Sequence, residues 1–206
     1  MTVTAQMIKE LREATGAAFL DCKNALEKYD GDIEKAKTYL AEKGLATARK
    51  KAGREASEGL IETYTHHGGR VGVMVEVNCE TDFVANTDRF KELAHDLALH
   101  IAFAKPLYVD VGDVPQEVLE AQKKAFHDEA KAQGKPDHII ERIVEGRLNK
   151  FFSEVCLLQQ PFVRDDEITV GDLIVQVVAE LKENIRVRRF VRYELGEALP
   201  ETGEGA

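Results

Sequence analysis

Six histidines, three cysteines and a scatter of carboxylates are the side chains of this chain that could hold a metal, form a covalent intermediate or move a proton. Their spacing argues against each. His66 and His67 are adjacent, and neighbours on a strand point to opposite faces, so they do not converge on an ion. His95 and His100, five apart, would lie about 140° from each other around a helix. His127 and His138 stand apart from both pairs. Cys22, Cys79 and Cys156 contain no CxxC pair, and an odd, scattered set suits reduced thiols better than a disulfide framework or a zinc site. Glu76, Glu80 and Asp82 suggest paired carboxylates for acid–base work, but no serine or cysteine nucleophile has a histidine partner to complete the machinery. No GxxxxGK[ST] phosphate loop occurs, and the run Gly68-Gly69-Arg70-Val71-Gly72 leads from one strand pattern into the next instead of opening a helix. The expectation is no enzymatic reaction, no cofactor and no metal.

One segment has a different physical character. Cys79-Glu80-Thr81-Asp82-Phe83-Val84-Ala85-Asn86 connects a strand pattern to a helix pattern capped by Thr87, and it sets a large aromatic beside an acid. Two readings are open. Phe83 and Val84 either fold back as a hydrophobic staple toward Phe90 or Leu93, or form an exposed apolar plug with a charged neighbour, made to enter a partner.

The elements that must position this segment are legible from periodicity. At the N-terminus Thr4 caps a helix with Met7, Ile8, Leu11 and Ala14 on one face, stopped by Gly16. Phe19, Cys22, Ala25, Leu26 and Tyr29 repeat at helical spacing as far as Asp30-Gly31. Asp32 opens a third helix with Ile33, Ala36, Tyr39 and Leu40 inward, ended by Gly44. Residues 44–54, small, basic and framed by Gly44 and Gly53, read as a linker. Residues 1–54 thus form a three-helix docking module with its basic linker.

The period then changes to two. Residues 60–65 and 70–78 flank His66-His67-Gly68-Gly69 as a β-hairpin, with Val71, Val73, Val75 and Val77 on the core side. A long helix follows from Thr87 to the stop at Pro106. Helices over 115–133 and 137–152, joined by Gly134-Lys135-Pro136, form an antiparallel helical hairpin. That hairpin is either a packed unit with no partner, a second contact, or a dimer element. A short strand at 155–158, a helix opened by Thr169, and a last strand over 185–195 complete the pattern. In the last strand Arg186, Arg188 and Arg192 alternate with Val187 and Val191, which predicts one basic face and one buried face. The fold class is α+β with an antiparallel sheet, the core spanning 55–195 and an acidic, flexible tail over 196–206.

Composition bounds what such a chain can be. With 206 residues, 44% hydrophobic and 32% charged, it can bury an adequate core without disulfide or metal staples. No apolar run approaches the ~20 residues that span a bilayer, and the N-terminus lacks a basic segment followed by an apolar stretch, so a cytoplasmic location without membrane contact is expected. The net charge of −9 conceals a division: 11 basic against 8 acidic residues through Arg54, then 17 against 29 beyond it. A nucleic-acid module would use Arg49, Lys50, Lys51, Arg54 and the arginines of the last strand. The acidic bulk opposes that reading, so no direct nucleic-acid contact is expected.

Three motifs together resemble the bacterial elongation factor Ts family. The first is Ile8-Lys9-Glu10-Leu11-Arg12-Glu13-Ala14-Thr15-Gly16 with Asp21-Cys22-Lys23 and Gly31-Asp32-Ile33. The second is Val75-Glu76-Val77-Asn78-Cys79-Glu80-Thr81-Asp82-Phe83-Val84-Ala85. The third is Gly134-Lys135-Pro136 with Val144-Glu145-Gly146-Arg147-Leu148 and Gln160-Pro161-Phe162-Val163. The resemblance runs from about residue 3 to residue 197. It implies a ubiquitin-associated-type N-terminal module and a guanine-nucleotide exchange factor whose partner is elongation factor Tu, contacted on its nucleotide domain and an adjoining domain. It makes Thr81, Asp82, Phe83 and Val84 the wedge that dislocates the partner's Mg2+. It further implies contacts through Arg12, Phe19, Leu20, Lys23 and His100, where the residues alone read equally as a solvated helix charge for Arg12 and bundle core for Phe19. Longer family members carry two related core halves and a C-terminal helical extension. This chain has one core, which implies a homodimer.

Overall fold

The computed structural model describes residues 3–198. Thr4 accepts a hydrogen bond from the Met7 backbone N–H and opens α1 (Ala5–Thr15), which Gly16 closes in the left-handed conformation open to glycine. α2 (Phe19–Lys28) ends where Asp30 and Gly31 both take positive φ. Asp32 then caps α3 (Ile33–Lys51) through the Lys35 N–H. Ile8, Leu11, Cys22, Ala25, Leu26, Ala36 and Leu40 are the small core of these three helices.

β1 (Glu58–Thr65) and β2 (Val71–Cys79) pair antiparallel, and the short helical turn α4 (Asp82–Ala85) leads into α5 (Asp88–Ala104). α6 (Gln116–Ala132) and α7 (Asp137–Val155) form the helical hairpin, where Arg147 reaches across to Glu129. β3 (Pro161–Phe162), β4 (Asp165–Thr169), α8 (Val170–Leu181) and β5 (Arg186–Glu194) follow. The main sheet has the antiparallel order β1-β2-β5, and β3 and β4 make a separate two-stranded ladder too short to announce itself by periodicity. Val73, Val75 and Val77 face Phe90, Leu93, Leu97 and Ile101 of α5 and Leu173 and Val177 of α8 in one core. The fold class is α+β, as expected.

Three expectations are corrected. α3 does not stop at Gly44, and most of the supposed linker is helix: Gly44 is buried where α3 crosses α8, and a Cβ there would stand 3.6 Å from both Ala179 and Val175. Gly44 is an interior residue of α3, with helical backbone and room for a methyl group at ordinary contact distance, and it terminates nothing. No strand forms at 155–158, because α7 runs to Val155 and is followed by a single parallel bridge from Cys156 to Tyr108 and a 3-10 turn, Leu157–Gln159. In β5 the pairing with β2 shifts between Glu76 and Val77, so the alternation predicted for its two faces breaks there. Val187 is buried, but beyond the shift Arg192 turns inward, donating from Nε to the Ala102 carbonyl, while Val191 is 47% exposed. One extra residue in a strand transfers every later side chain to the opposite face. The expected tail lies outside the described residues from 199 onward.

Candidate functional site

The Cys79–Asn86 connection is built by two helix caps in succession. Thr81 takes extended backbone angles and its Oγ accepts from the Val84 N–H at 3.4 Å, opening α4, and six residues later Thr87 does the same for Phe90 at 3.3 Å. Thr87 Oγ also donates to the Val84 carbonyl at 2.8 Å, closing the short turn on its C-terminal side. With about 100° between successive residues, a four-residue helix must choose which side chains face the core. Ala85 is buried and Val84 packs partly against the main core, which turns Phe83 outward. Phe83 is 82% exposed. The staple reading is thereby excluded, and the exposed plug is the arrangement found, with Asp82 exposed beside it.

What holds this turn carries no signal in the sequence around it. Glu183, just beyond the C-terminus of α8, points its carboxylate at the start of α4. Oε2 accepts from the backbone N–H groups of Glu80 (3.1 Å) and Thr81 (3.0 Å), and Oε1 accepts from the Thr81 hydroxyl at 2.6 Å. Glu80 is engaged in return: its Oε1 accepts from the Asn184 N–H at 2.6 Å and its Oε2 from Arg54 at 3.2 Å. The Asn184 N–H, then the Arg54 guanidinium, hold the Glu80 carboxyl below its ordinary range. Asn184 also donates from its side chain to the Arg54 carbonyl at 2.8 Å, tying the segment after α3 to the base of the turn. Burial, with the nearby Glu183 charge adding to it, pushes the Cys79 thiol up to about 11, so the thiol stays protonated and donates to the Thr81 carbonyl at 3.1 Å. Glu183 and Asn184 come from more than 100 positions away in sequence, and no local pattern signals them.

The second candidate surface lies on the N-terminal helices. Leu20 and Lys23, three apart at the start of α2, share a helix face, and Lys23 pairs loosely with Glu27 at 3.7 Å. Phe19 is 55% exposed and Leu20 64% exposed. Phe19 has the spacing of a core residue but is the first residue of its helix. A side chain there leans back beyond the packed layer toward the N-terminus. Arg12 is exposed in the last turn of α1.

His100 belongs to neither surface. It is fully buried: Nε2 bonds Gln160 Oε1 at 3.0 Å and Nδ1 accepts from the Val163 N–H at 3.2 Å. The expected partner contact through its side chain is therefore corrected to an internal link between α5 and the β3 region. Among the described residues no group of three or more His, Cys, Asp and Glu side chains is placed to hold a metal ion, and all three cysteines are free and buried. No helix among them is long and apolar enough to cross a membrane.

The family model described as Elongation factor TS matches residues 3–197. The elongation factor Ts of Carboxydothermus hydrogenoformans is 57% identical over 202 residues, covering 98% of this chain and 93% of the relative. That of Heliobacterium modesticaldum is 56% identical over 197 residues, with 96% and 92% covered. That of Caldanaerobacter subterraneus is 57% identical, with 96% and 98% covered.

Proposed function

The chain belongs to the elongation factor Ts family, and from that premise we propose that it is the guanine-nucleotide exchange factor of translation elongation, acting in the cytoplasm on elongation factor Tu bound to GDP. The observation that carries the reading is Phe83, held 82% exposed on a capped turn. Thr81, Asp82, Phe83 and Val84 form the wedge: Phe83 enters between side chains of the partner near its nucleotide, and Asp82 redirects hydrogen bonds there. Val84 and Thr81 anchor the turn to the core. Displacing Mg2+ removes the largest positive charge beside the phosphates, so GDP affinity falls steeply. The factor makes and breaks no covalent bond, and needs no nucleotide site of its own.

α1, α2 and the first part of α3 act as a ubiquitin-associated-type docking module for the nucleotide domain of elongation factor Tu. Phe19, Leu20, Lys23 and Arg12 are its contacts; the solvent exposure of the two apolar ones supports this role. Contact with an adjoining domain of the partner falls to the core. The outward face of the main sheet exposes Ile61, Met74, Val191 and Tyr193. An apolar strip of that kind supports the homodimer, since a second copy would cover it.

Linkage supplies the test. If the factor lowers GDP affinity, GDP must lower factor affinity by the same ratio. Calorimetric titration of this chain into elongation factor Tu is expected to give tight binding without nucleotide and binding weakened a hundredfold or more by saturating GDP with Mg2+. Equal affinities in the two conditions would overturn the exchange function.

A further inference from the structure

We infer that Glu183 is the positioning residue of the wedge, resting on the reading of Phe83 given above. Its carboxylate is the only group among the described residues that bonds both backbone N–H groups entering α4 and the Thr81 hydroxyl. The hydroxyl is the pivot. A threonine Oγ carries one proton and two lone pairs, and here the proton is directed to Glu183 at 2.6 Å, which leaves a lone pair for the Val84 N–H. The cap of α4 therefore takes its polarity from Glu183. Without the carboxylate the hydroxyl is free to rotate, two backbone donors lose their acceptor, and a four-residue helix has too few internal bonds to keep its shape.

The location of Glu183 adds a second element. It follows Lys182, which ends α8 in the left-handed conformation, and precedes Asn184, whose N–H and side chain hold Glu80 and the Arg54 carbonyl. A single corner of the chain, Lys182 to Asn184, thus fixes both the turn that presents Phe83 and the segment following α3. Glu183 is not itself placed against a partner: its oxygens are occupied inside the fold, and it acts through Thr81. What it contributes is a wedge already formed before contact, so that the partner's binding energy is not drawn on to order it.

The test compares the full chain with Glu183→Gln, Thr81→Val and Phe83→Ala, after circular dichroism has shown each to be folded. Two readouts are taken: amide hydrogen exchange at Thr81 and Val84 in the free protein, and the plateau rate of GDP release from elongation factor Tu at saturating factor. Glu183→Gln is expected to speed exchange at both amides about tenfold or more and to lower the plateau about tenfold. The half-saturating concentration should move less than the plateau, because the N-terminal contacts are unaltered. Thr81→Val should speed Val84 exchange in the same way, and it serves if the Gln variant does not fold. Unchanged exchange in these variants overturns the positioning role. Faster exchange with a native plateau, while Phe83→Ala lowers it, overturns the role in exchange activity and leaves the wedge standing. A native plateau in Phe83→Ala as well removes the wedge itself, and the inference falls with it.

Discussion

Replacing Phe83 with alanine should separate stability from function. The ring is 82% exposed, so only about a fifth of it is withdrawn from water in the free chain. Fully burying a phenylalanine stabilises a fold by roughly 1.5–3 kcal/mol, so truncation forfeits about 0.5 kcal/mol here. Alanine returns a few tenths of that as the better helix former in α4. For a chain of this length such a change moves the melting temperature by about 2 °C or less. In the complex the ring is expected to be enclosed, and loss of a buried aromatic anchor at an interface costs about 2 kcal/mol or more, equivalent to roughly 30-fold. Release of a fluorescent GDP analogue from elongation factor Tu, followed by stopped flow, should therefore be stimulated about 30-fold less by the variant than by the native chain. Val84→Ala provides the contrast, because Val84 packs against the main core and its truncation should lower the melting temperature more than Phe83→Ala does. Native stimulation by Phe83→Ala, or a melting temperature lowered by much more than that of Val84→Ala, would refute the assignment of the ring to the partner.

Two further outcomes follow from packing and protonation. Gly44→Ala places a Cβ at an ordinary 3.6 Å contact with α8 and should raise stability by about 0.5–1 kcal/mol, whereas Gly44→Leu should force α3 away and lower it by about 1–3 kcal/mol, both read from urea unfolding midpoints. Burial holds the His100 pKa below its ordinary value, opposed by the hydrogen bond to Gln160, and its Nδ1 already faces the Val163 N–H, so a second ring proton has no acceptor. Because the unfolded chain takes up that proton first, the contribution of His100 is complete above about pH 6.5 and is lost as pH falls below it. His100→Gln should flatten this part of the pH–stability curve, and an NMR titration placing the His100 pKa above 6.5 would contradict the assignment.

What could be seen in the sequence was whatever is decided locally. Thr4, Asp32, Thr87 and Thr169 cap the helices they were expected to cap, because a cap depends on a side chain and a backbone N–H three residues away. The valine alternation of β2 likewise marked its buried face. The errors share a different origin. Gly44 has the local signature of a helix stop, yet α3 runs on to Lys51 with Gly44 buried against α8, a contact that no local pattern carries. The β5 alternation fails where Arg188 is left without a partner in the pairing with β2, a shift that appears only once the two strands are aligned. For the candidate site, the Cys79–Asn86 connection stood out by its residue types, but the choice between staple and plug did not, since it turns on which face of α4 meets the core. Glu183 left no trace in the pattern, because its three donors lie more than 100 residues earlier.

In the proposed function, this chain releases GDP from its partner through the wedge and has no nucleotide site of its own. The most direct measurement is the rate of GDP release from elongation factor Tu in Mg2+ buffer as a function of this chain's concentration. The release rate is expected to rise with factor and saturate at least about a hundredfold above the spontaneous rate, with a smaller acceleration when EDTA has already removed the metal. A rate independent of factor concentration would contradict it.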